Sequence, residues 1–279
     1  MNTGLVSICI PTFNGAQFLE EALLSIINQT YKNIEIIISD DGSSDDSIEI
    51  AENFKSESAF PVFIYNHSPS GIGANWNNCI SKSNGEYVKF LFQDDLLIPD
   101  CIRTMVEIIN KNKEIGMVAC KRTIINENRR SKWALGWLSK YGDLQQKLNL
   151  PVGKINILGK EIFKHKEFCK DPYNKIGEPT ALMFRKSIID KTGLFRTDLH
   201  QILDLEFYYR VLKFYKIAII NENLVEFRLH PGQASQNKGI DYRKEYNLFR
   251  KILFVHFFRY LNTKEKIKLL KESVNWIRI

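Results

Sequence analysis

The residues of this chain best suited to chemistry are carboxylates, and they arrive in pairs at the ends of apolar runs. Tyr87-Val88-Lys89-Phe90-Leu91-Phe92 is a β-rich stretch that stops at Gln93 and two adjacent acids, Asp94 and Asp95, the pattern of a buried strand delivering acids to the edge of a sheet. Neighbouring like charges at the exit of a buried strand are costly unless a cation lies beside them. Mg²⁺ and Mn²⁺ accept carboxylate oxygen and are commonly shared with substrate phosphates, so the pair points to a metal and diphosphate site. The competing reading is local: Asp94 and Asp95 cap the loop before Leu96-Leu97-Ile98-Pro99 and a helix from Asp100. Asp40-Asp41-Gly42-Ser43 follows another apolar run, Ile34 to Ser39, and Pro11-Thr12-Phe13-Asn14 follows Leu5 to Ile10.

The elements that must position these residues are strands alternating with helices. Phe18, Leu19, Ala22, Leu23, Ile26 and Ile27 recur along one helical face between the first two runs. Apolar runs without alternation, separated by such helices, indicate parallel strands covered on both faces. Pro11, lacking an N–H, is expected to stop the first strand. Further strands are predicted at Pro61–Tyr65, Met117–Cys120, Thr180–Phe184, Ile217–Ile220 and Leu224–Leu229, with helices over Ala74–Lys82, Asp100–Asn112 and from Asp204. In open α/β sheets the ligand lies outside the carboxyl ends of the strands. The three polar strand ends should therefore meet in one crevice.

The chain has 279 residues, 44% of them hydrophobic and 25% charged, enough for one main domain. Five scattered cysteines without a Cys-x-x-Cys pair suggest reduced thiols. No charged leader precedes the first strand and no apolar run reaches bilayer length, so the expected location is cytoplasmic. A net charge of +7 invites nucleic acid, an anionic membrane or a phosphorylated substrate. A nucleic-acid binder would place cations and aromatic platforms at the strand ends, where this chain has acids, so no nucleic acid is expected as partner. The absence of Gly-x-Gly-x-x-Gly after the first strand argues against a dinucleotide-dependent oxidoreductase, and the absence of a Gly-rich basic loop there argues against a sugar nucleotidyltransferase.

Taken in order, Ile8-Cys9-Ile10-Pro11-Thr12-Phe13-Asn14, Gln29-Thr30-Tyr31, Ser39-Asp40-Asp41-Gly42-Ser43, Gly71-Ile72-Gly73-Ala74-Asn75-Trp76-Asn77, Gly85-Glu86-Tyr87, Asp94-Asp95, Asp204 and Arg228-Leu229-His230 with Ser235 resemble the inverting glycosyltransferases of family 2, of the bacterial surface-polysaccharide type. The resemblance implies the GT-A fold, an α/β architecture with a Rossmann-like, mostly parallel central sheet flanked by helices. It divides the chain into a glycosyltransferase domain, 1–235, and C-terminal helices, 236–279. Within the domain, 1–120 would be the nucleotide-sugar-binding half and 121–235 the acceptor-side half, with an irregular, partly helical insertion at 121–175 shaping the acceptor site.

The resemblance also implies roles. Pro11, Thr12, Phe13 and Asn14 would line the base and ribose side of the donor pocket, with Phe13 able to stack on a flat ring. Asp41 would accept an N–H from the base, Asp40 being the structural member of that pair. Asp94 would hold the ribose, Asp95 the divalent Mn²⁺ or Mg²⁺, with His230 near the metal or diphosphate. Asp204 is similar to the family's general base, although by composition alone it reads as a helix N-cap. Glu178 and Arg185 would be acceptor-side or packing residues, and Glu206 would support Asp204 from behind or contact the acceptor hydroxyl. Many relatives have Arg-Asn where this chain has Trp76-Asn77; Asn77 still matches as a nucleotide-sugar contact.

The implied activity is transfer of a hexosyl group from a UDP-linked donor to a glycan or polyprenyl-diphosphate-linked acceptor. A catalytically silent nucleotide-sugar or glycan-binding protein is the alternative. From Tyr242 to Ile279 cations such as Arg250, Lys251, Lys266 and Lys271 alternate with Phe249, Leu253, Phe257, Leu269 and other apolar residues. Two readings fit that pattern: an anionic membrane surface, or helices packed on the domain or on a second copy of the chain.

Overall fold

Runs of isoleucine and valine form the centre of the sheet, because branched side chains pack well on a pleated surface covered on both faces. In the computed structural model, which describes residues 4–126, 131–233 and 242–276, β1 (Val6–Thr12) and β2 (Ile34–Asp40) are buried at every position. The elements in chain order are β1, α1 (Ala16–Ile27), β2, α2 (Ser47–Glu57), β3 (Val62–Asn66), α3 (Ile72–Lys82), β4 (Tyr87–Phe90), β5 (Leu96–Leu97), α4 (Cys101–Asn110) and β6 (Ile115–Ile125). They continue with α5 (Lys132–Tyr141), β7 (Ile155–Leu158), β8 (Leu182–Arg185), α6 (Ile189–Thr192), α7 (Leu203–Phe214), β9 (Lys216–Arg228), α8 (Tyr242–Ile252) and α9 (Thr263–Trp276).

The strands join in one sheet, in the order β3-β2-β1-β4-β8-β6-β9-β5, with β7 added on β9. The block β3-β2-β1-β4 is parallel, as is β6 with β9. β8 runs antiparallel between β4 and β6, and β5 and β7 run antiparallel to β9. The carboxyl ends of the parallel block are level, with Thr12 opposite Asp40 and Asp40 opposite Asn66. Polar residues following those strands therefore share one edge.

Several elements differ from expectation for identifiable reasons. β1 continues through Pro11, which stands opposite Ser39. The carbonyls of Leu5 and Cys9 accept from Tyr87 and Leu91, so the odd positions of β1 turn toward β4. Pro11's missing N–H thus faces a side where β4 has already ended at Phe90, and the ladder with β2 loses nothing. Leu96 and Leu97, for which no strand is predicted, make a two-residue strand against β9. β6 runs to Ile125 instead of stopping at Cys120. The two strands expected at 217–220 and 224–229 are one strand, and the polar interval Asn221 to Asn223 is where its register with β6 shifts.

Two apolar layers cover the sheet. Val6, Ile8, Ile10, Ile36 and Ile38 pack with α1, α2 and α4 on one face. Cys9, Ile37, Val88 and Phe90 pack with α3, α7 and the C-terminal helices on the other. The 121–175 stretch contributes Leu148, Leu158, Phe163, Phe168 and Cys169 to this second layer, so it is built into the core as well as supplying α5. Phe249, Ile252, Leu253, Phe257, Leu261 and Leu269 of the tail join the same layer. Of the two tail readings, packing on the domain accounts for these residues, leaving Val255, Ile267, Leu270 and Val274 exposed. Calls on Ser235, Ile277 and Arg278 lie outside the described residues.

Arg250, 1% exposed, locks α8 to α9 through ion pairs with Glu265 and, at 2.9 Å, Glu272. Removing one partner of a buried pair leaves an uncompensated charge. Arg250→Met is therefore expected to lower the unfolding free energy in urea by about 3–5 kcal/mol, and a loss indistinguishable from zero would mean that the pair does not fasten the tail.

Candidate active site

The crevice at the sheet edge is held by side chains that satisfy exposed loop amides. Asp40 accepts the Gly42 and Ser43 N–H groups at 3.0 and 2.7 Å and the hydroxyls of Thr12 and Ser43 at 2.9 and 2.6 Å. It is the structural member of its pair, and it occupies the Thr12 hydroxyl. Asp41 takes the N–H groups of Ser70 and Gly71 at 2.9 and 3.0 Å, with His67 at 3.5 Å. Gly71 has φ of 86°, a conformation that suits glycine, and this turn starts α3. Asn14, itself at φ 48°, accepts from the Ser44 N–H at 2.8 Å. Pro11 and Thr12 are buried, whereas the Phe13 ring is 54% exposed.

Gln93 joins the ends of β1 and β4: the Phe13 N–H donates to its side-chain oxygen at 2.9 Å, and its amide donates to the Phe13 carbonyl at 3.2 Å. Beyond it, Asp95 is 1% exposed. Its Oδ1 accepts the Arg228 N–H at 2.9 Å, while Oδ2 has no hydrogen-bond partner. Burial holds the Asp95 carboxyl well above the usual carboxylate range, and the charges of Asp94 and Glu178 push the same way. Asp94 is more open; its Oδ2 lies 3.0 Å from His230 Nε2, and its carbonyl accepts from Arg228 Nε at 3.0 Å. The histidine expected near the metal thus contacts Asp94 directly. Arg228 also sits 4.5 Å over the Phe18 ring and pairs with Glu21 at 2.5 Å, which docks the end of β9 on α1. Behind the acids Lys89 is fully buried, donating to the carbonyls of Phe90 and Thr180; burial pushes its pKa down while Asp95 pulls it up.

The donor set suits a divalent ion shared with a ligand. An orphaned buried carboxylate oxygen on Asp95, a second carboxylate and an imidazole offer hard and borderline donors. Among the described residues no group of three or more His, Cys, Asp or Glu side chains forms a metal-holding cluster, so phosphate oxygens and water would have to complete the coordination.

Asp204 is the second residue of α7 and is partly exposed. Its Oδ1 accepts the Leu205 N–H at 2.6 Å and its Oδ2 the Asn174 amide at 3.1 Å, so it does not act as the N-cap. Burial, opposed by the Leu205 and Asn174 hydrogen bonds and reinforced by the charge of Glu178, raises its pKa to about 7. Asn174 also ties the preceding loop, accepting from Ile176 and Gly177 and donating to the Gly177 carbonyl. Glu178 repels both Asp95 and Asp204, so the acid after β4 and the acid on α7 share one charged neighbour. Arg122 Nε pairs with Glu178 at 2.7 Å, and Tyr208, buried near both acids, has a hydroxyl without a hydrogen-bond partner.

Three expected site residues do other work. Both sides of the Asn77 amide are engaged by the Phe195 backbone, at 2.8 and 2.9 Å, so it fastens the 195 loop to α3. Arg185 stands opposite Tyr87, at the start of β4 and the far end from Asp94, where it bonds the Ile109 and Ile115 carbonyls and pairs with Glu86. Glu206 lies two residues from Asp204, roughly 200° around the helix, paired with Arg210 at 2.8 Å beside a cavity of about 270 Å³ lined also by Arg196 and Lys213. Trp76 is buried against Phe90, Phe92 and Phe195, a core residue in place of a cation. Sequence reasoning missed Gln93, Arg122, Asn174 and Tyr208. Only Tyr208 carried a signal, four residues after Asp204 and so on the same helical face.

Comparison with known proteins completes the description. The chain is 29% identical over 212 residues to an uncharacterized protein of Mycobacterium tuberculosis, spanning 75% of this chain and 62% of that one. It is 37% identical over 107 residues to the GalNAc(5)-diNAcBac-PP-undecaprenol beta-1,3-glucosyltransferase of Campylobacter jejuni, covering 38% of this chain and 35% of the relative. Among solved structures, Staphylococcus aureus TarS 1–349 in complex with UDP-GlcNAc matches with a TM-score of 0.69 at 15% identity, over 97% of this chain and 72% of that one. The mannosyltransferase PcManGT from Pyrobaculum calidifontis, with GDP-Man and Mn²⁺, matches with a TM-score of 0.58 at 17% identity, over 92% and 63%. These likenesses give the fold, that of the GT-A glycosyltransferases. The family model described as glycosyl transferase family 2 matches residues 7–193, two thirds of the length and all three strand ends of the crevice, and the chain belongs to that family.

Proposed function

We propose that this chain is a metal-dependent inverting glycosyltransferase that moves a hexosyl group from a UDP-linked donor to a hydroxyl of a glycan or polyprenyl-diphosphate-linked glycan in surface-polysaccharide synthesis. The observation that carries the reading is Asp204: a partly exposed residue whose carboxyl pKa is raised to about 7 and which shares the charged neighbour Glu178 with Asp95. A general base works best when its pKa lies near the operating pH. The UDP-GlcNAc and the GDP-Man with Mn²⁺ bound by the solved neighbours and the polyprenol acceptor in the Campylobacter relative's name support the donor, metal and acceptor classes.

In this mechanism the exposed Phe13 ring packs against the base. Asp41, whose oxygens retain lone pairs beyond the two loop amides, accepts from the base edge. Asp94 meets the ribose, and Asp95 with His230 holds the divalent ion. When bound, that ion offsets the charge growing on the departing nucleoside diphosphate. Asp204 takes the proton of the acceptor hydroxyl as its oxygen attacks the anomeric carbon opposite the leaving group, which inverts the configuration in one displacement. Exposed Ile267, Leu270 and Val274 among the lysines of α9, with exposed Val255 before that helix, suit contact with the cytoplasmic face of an anionic membrane carrying the acceptor. Among the described residues no helix is long and apolar enough to cross a membrane.

UDP-sugar turnover in Mn²⁺ tests the assignment. Asp204→Asn should lose roughly 10²- to 10⁴-fold in rate with nucleotide affinity retained, whereas Asp95→Ala should lose activity together with the Mn²⁺-dependent rise in thermal midpoint that UDP produces. Turnover that survives both substitutions rejects the roles.

The pH dependence has a definite sign. Because the folded-state pKa of Asp204 is raised, the base is protonated below about pH 7, so kcat/KM should climb with pH through that region. The folded chain also binds this proton more tightly than the unfolded chain, so the stability Asp204 contributes is present at low pH and lost as pH rises from the ordinary carboxylate value through about 7. Asp204→Asn should therefore gain in thermal midpoint relative to the parent between pH 5 and pH 8, to be read from melting curves; a constant difference would show that the acid is not held protonated.

A further inference from the structure

We propose that Arg122 and Glu178 are positioning residues for this reaction: Arg122, clamped over two aromatic rings, fixes the Glu178 carboxylate in the loop that the Asn174 amide ties to Asp204, and the pair governs when Asp204 can take a proton. The role rests on the reading of Asp204 as the base, but the arrangement stands on its own geometry. Arg122 is buried on β6, with Nε 2.7 Å from Glu178 Oε2 and a second nitrogen donating to the Tyr141 carbonyl at 2.7 Å. Its guanidinium lies 5.8 Å from the Trp137 ring and 5.7 Å from the Phe227 ring, and those rings stack on each other at 5.7 Å and 7°. Such contacts fix a flat cation better than an ammonium.

Glu178 is tethered as firmly. Pro179 follows it, and Gly177 before it shares the Asn174 amide with Asp204, at 2.8 and 3.1 Å. The described groups facing Asp204 are the Asn174 amide from that loop, the Leu205 N–H and the buried Tyr208 phenol from α7, and Glu178 from the segment before β8. Glu178 carries the formal charge among them, with Arg122 as its counter-ion, and its charge also acts on Asp95. A negative neighbour holds a carboxyl in its protonated form, and a cation paired with that neighbour weakens the hold.

The experiment is a ¹³C NMR titration of the full chain labelled at the aspartate carboxyls, with the Asp204 signal assigned by its loss in Asp204→Asn. Glu178→Gln should lower the Asp204 midpoint by on the order of one pH unit. Arg122→Met should raise the Asp204 midpoint, and Arg122→Lys should fall between Met and the parent. A purely structural role would change the melting temperature without opposite displacements, so midpoints that stay put, or that move the same way in Glu178→Gln and Arg122→Met, overturn the proposal. Should Arg122→Met not fold, Glu178→Gln and Arg122→Lys decide. The titration needs no substrate, so wild-type protein that turns over no UDP-sugar would end the glycosyltransferase mechanism while this result still stood or fell alone.

Discussion

Loss of water around carboxylates is the constraint around which the candidate site is arranged. Burial dominates at both Asp95 and Asp204, with Asp94 and Glu178 adding repulsion at the first and Glu178 at the second. Such a cluster persists only because fixed groups answer each charge. The Arg228 backbone and side chain meet the Asp94-Asp95 turn, Arg122 meets Glu178, Asn174 meets Asp204, and buried Lys89 lies behind Asp95. What these contacts leave unbalanced, an orphaned oxygen on Asp95 and a carboxyl at Asp204 with its pKa near neutrality, is what a metal-bound diphosphate and an acceptor hydroxyl would use.

The fold supplies the other half of the arrangement by bringing chain ends to one level. Parallel pairing forces β1, β2 and β3 to finish together, and each finish spends a short polar side chain on loop amides instead of a strand ladder. Asp40, Asp41 and Asn14 are occupied in this way, so the polarity of these loops first shapes the crevice and only then offers anything to a ligand. Antiparallel β8 enters beside β4 and carries Glu178 and Thr180 in ahead of it, which ties the parallel block to the later part of the chain through one buried seam. α7 then presents Asp204 toward that seam and Glu206 away from it.

The 121–175 stretch shows where composition misleads. Polar and irregular in sequence, it nonetheless buries Phe163 and Phe168 in the aromatic layer under α7, because isolated apolar residues in loops leave no periodic trace. Arg122 is a related case: one cation at a strand position, with partners at residues 137, 141, 178 and 227 that no local spacing connects. Asn77 and Arg185 show the converse. Their types and positions fit a pattern, but their hydrogen-bonding capacity is consumed by backbone carbonyls and amides near Phe195 and Ile109.

The amino-acid order alone determined the parallel βα layout, the three polar strand ends, the acids at 41, 94, 95 and 204, and their kinship to one family, since strand burial and turn chemistry act over a few residues and leave a readable spacing. Tertiary structure alone decided that Arg122 and Glu178 stand together, that Glu206 turns away from Asp204, that Pro11 costs its strand nothing, and that the tail's apolar face is largely covered. Those outcomes depend on which groups become neighbours across the sheet, and hence on desolvation and charge at distances that sequence separation does not encode.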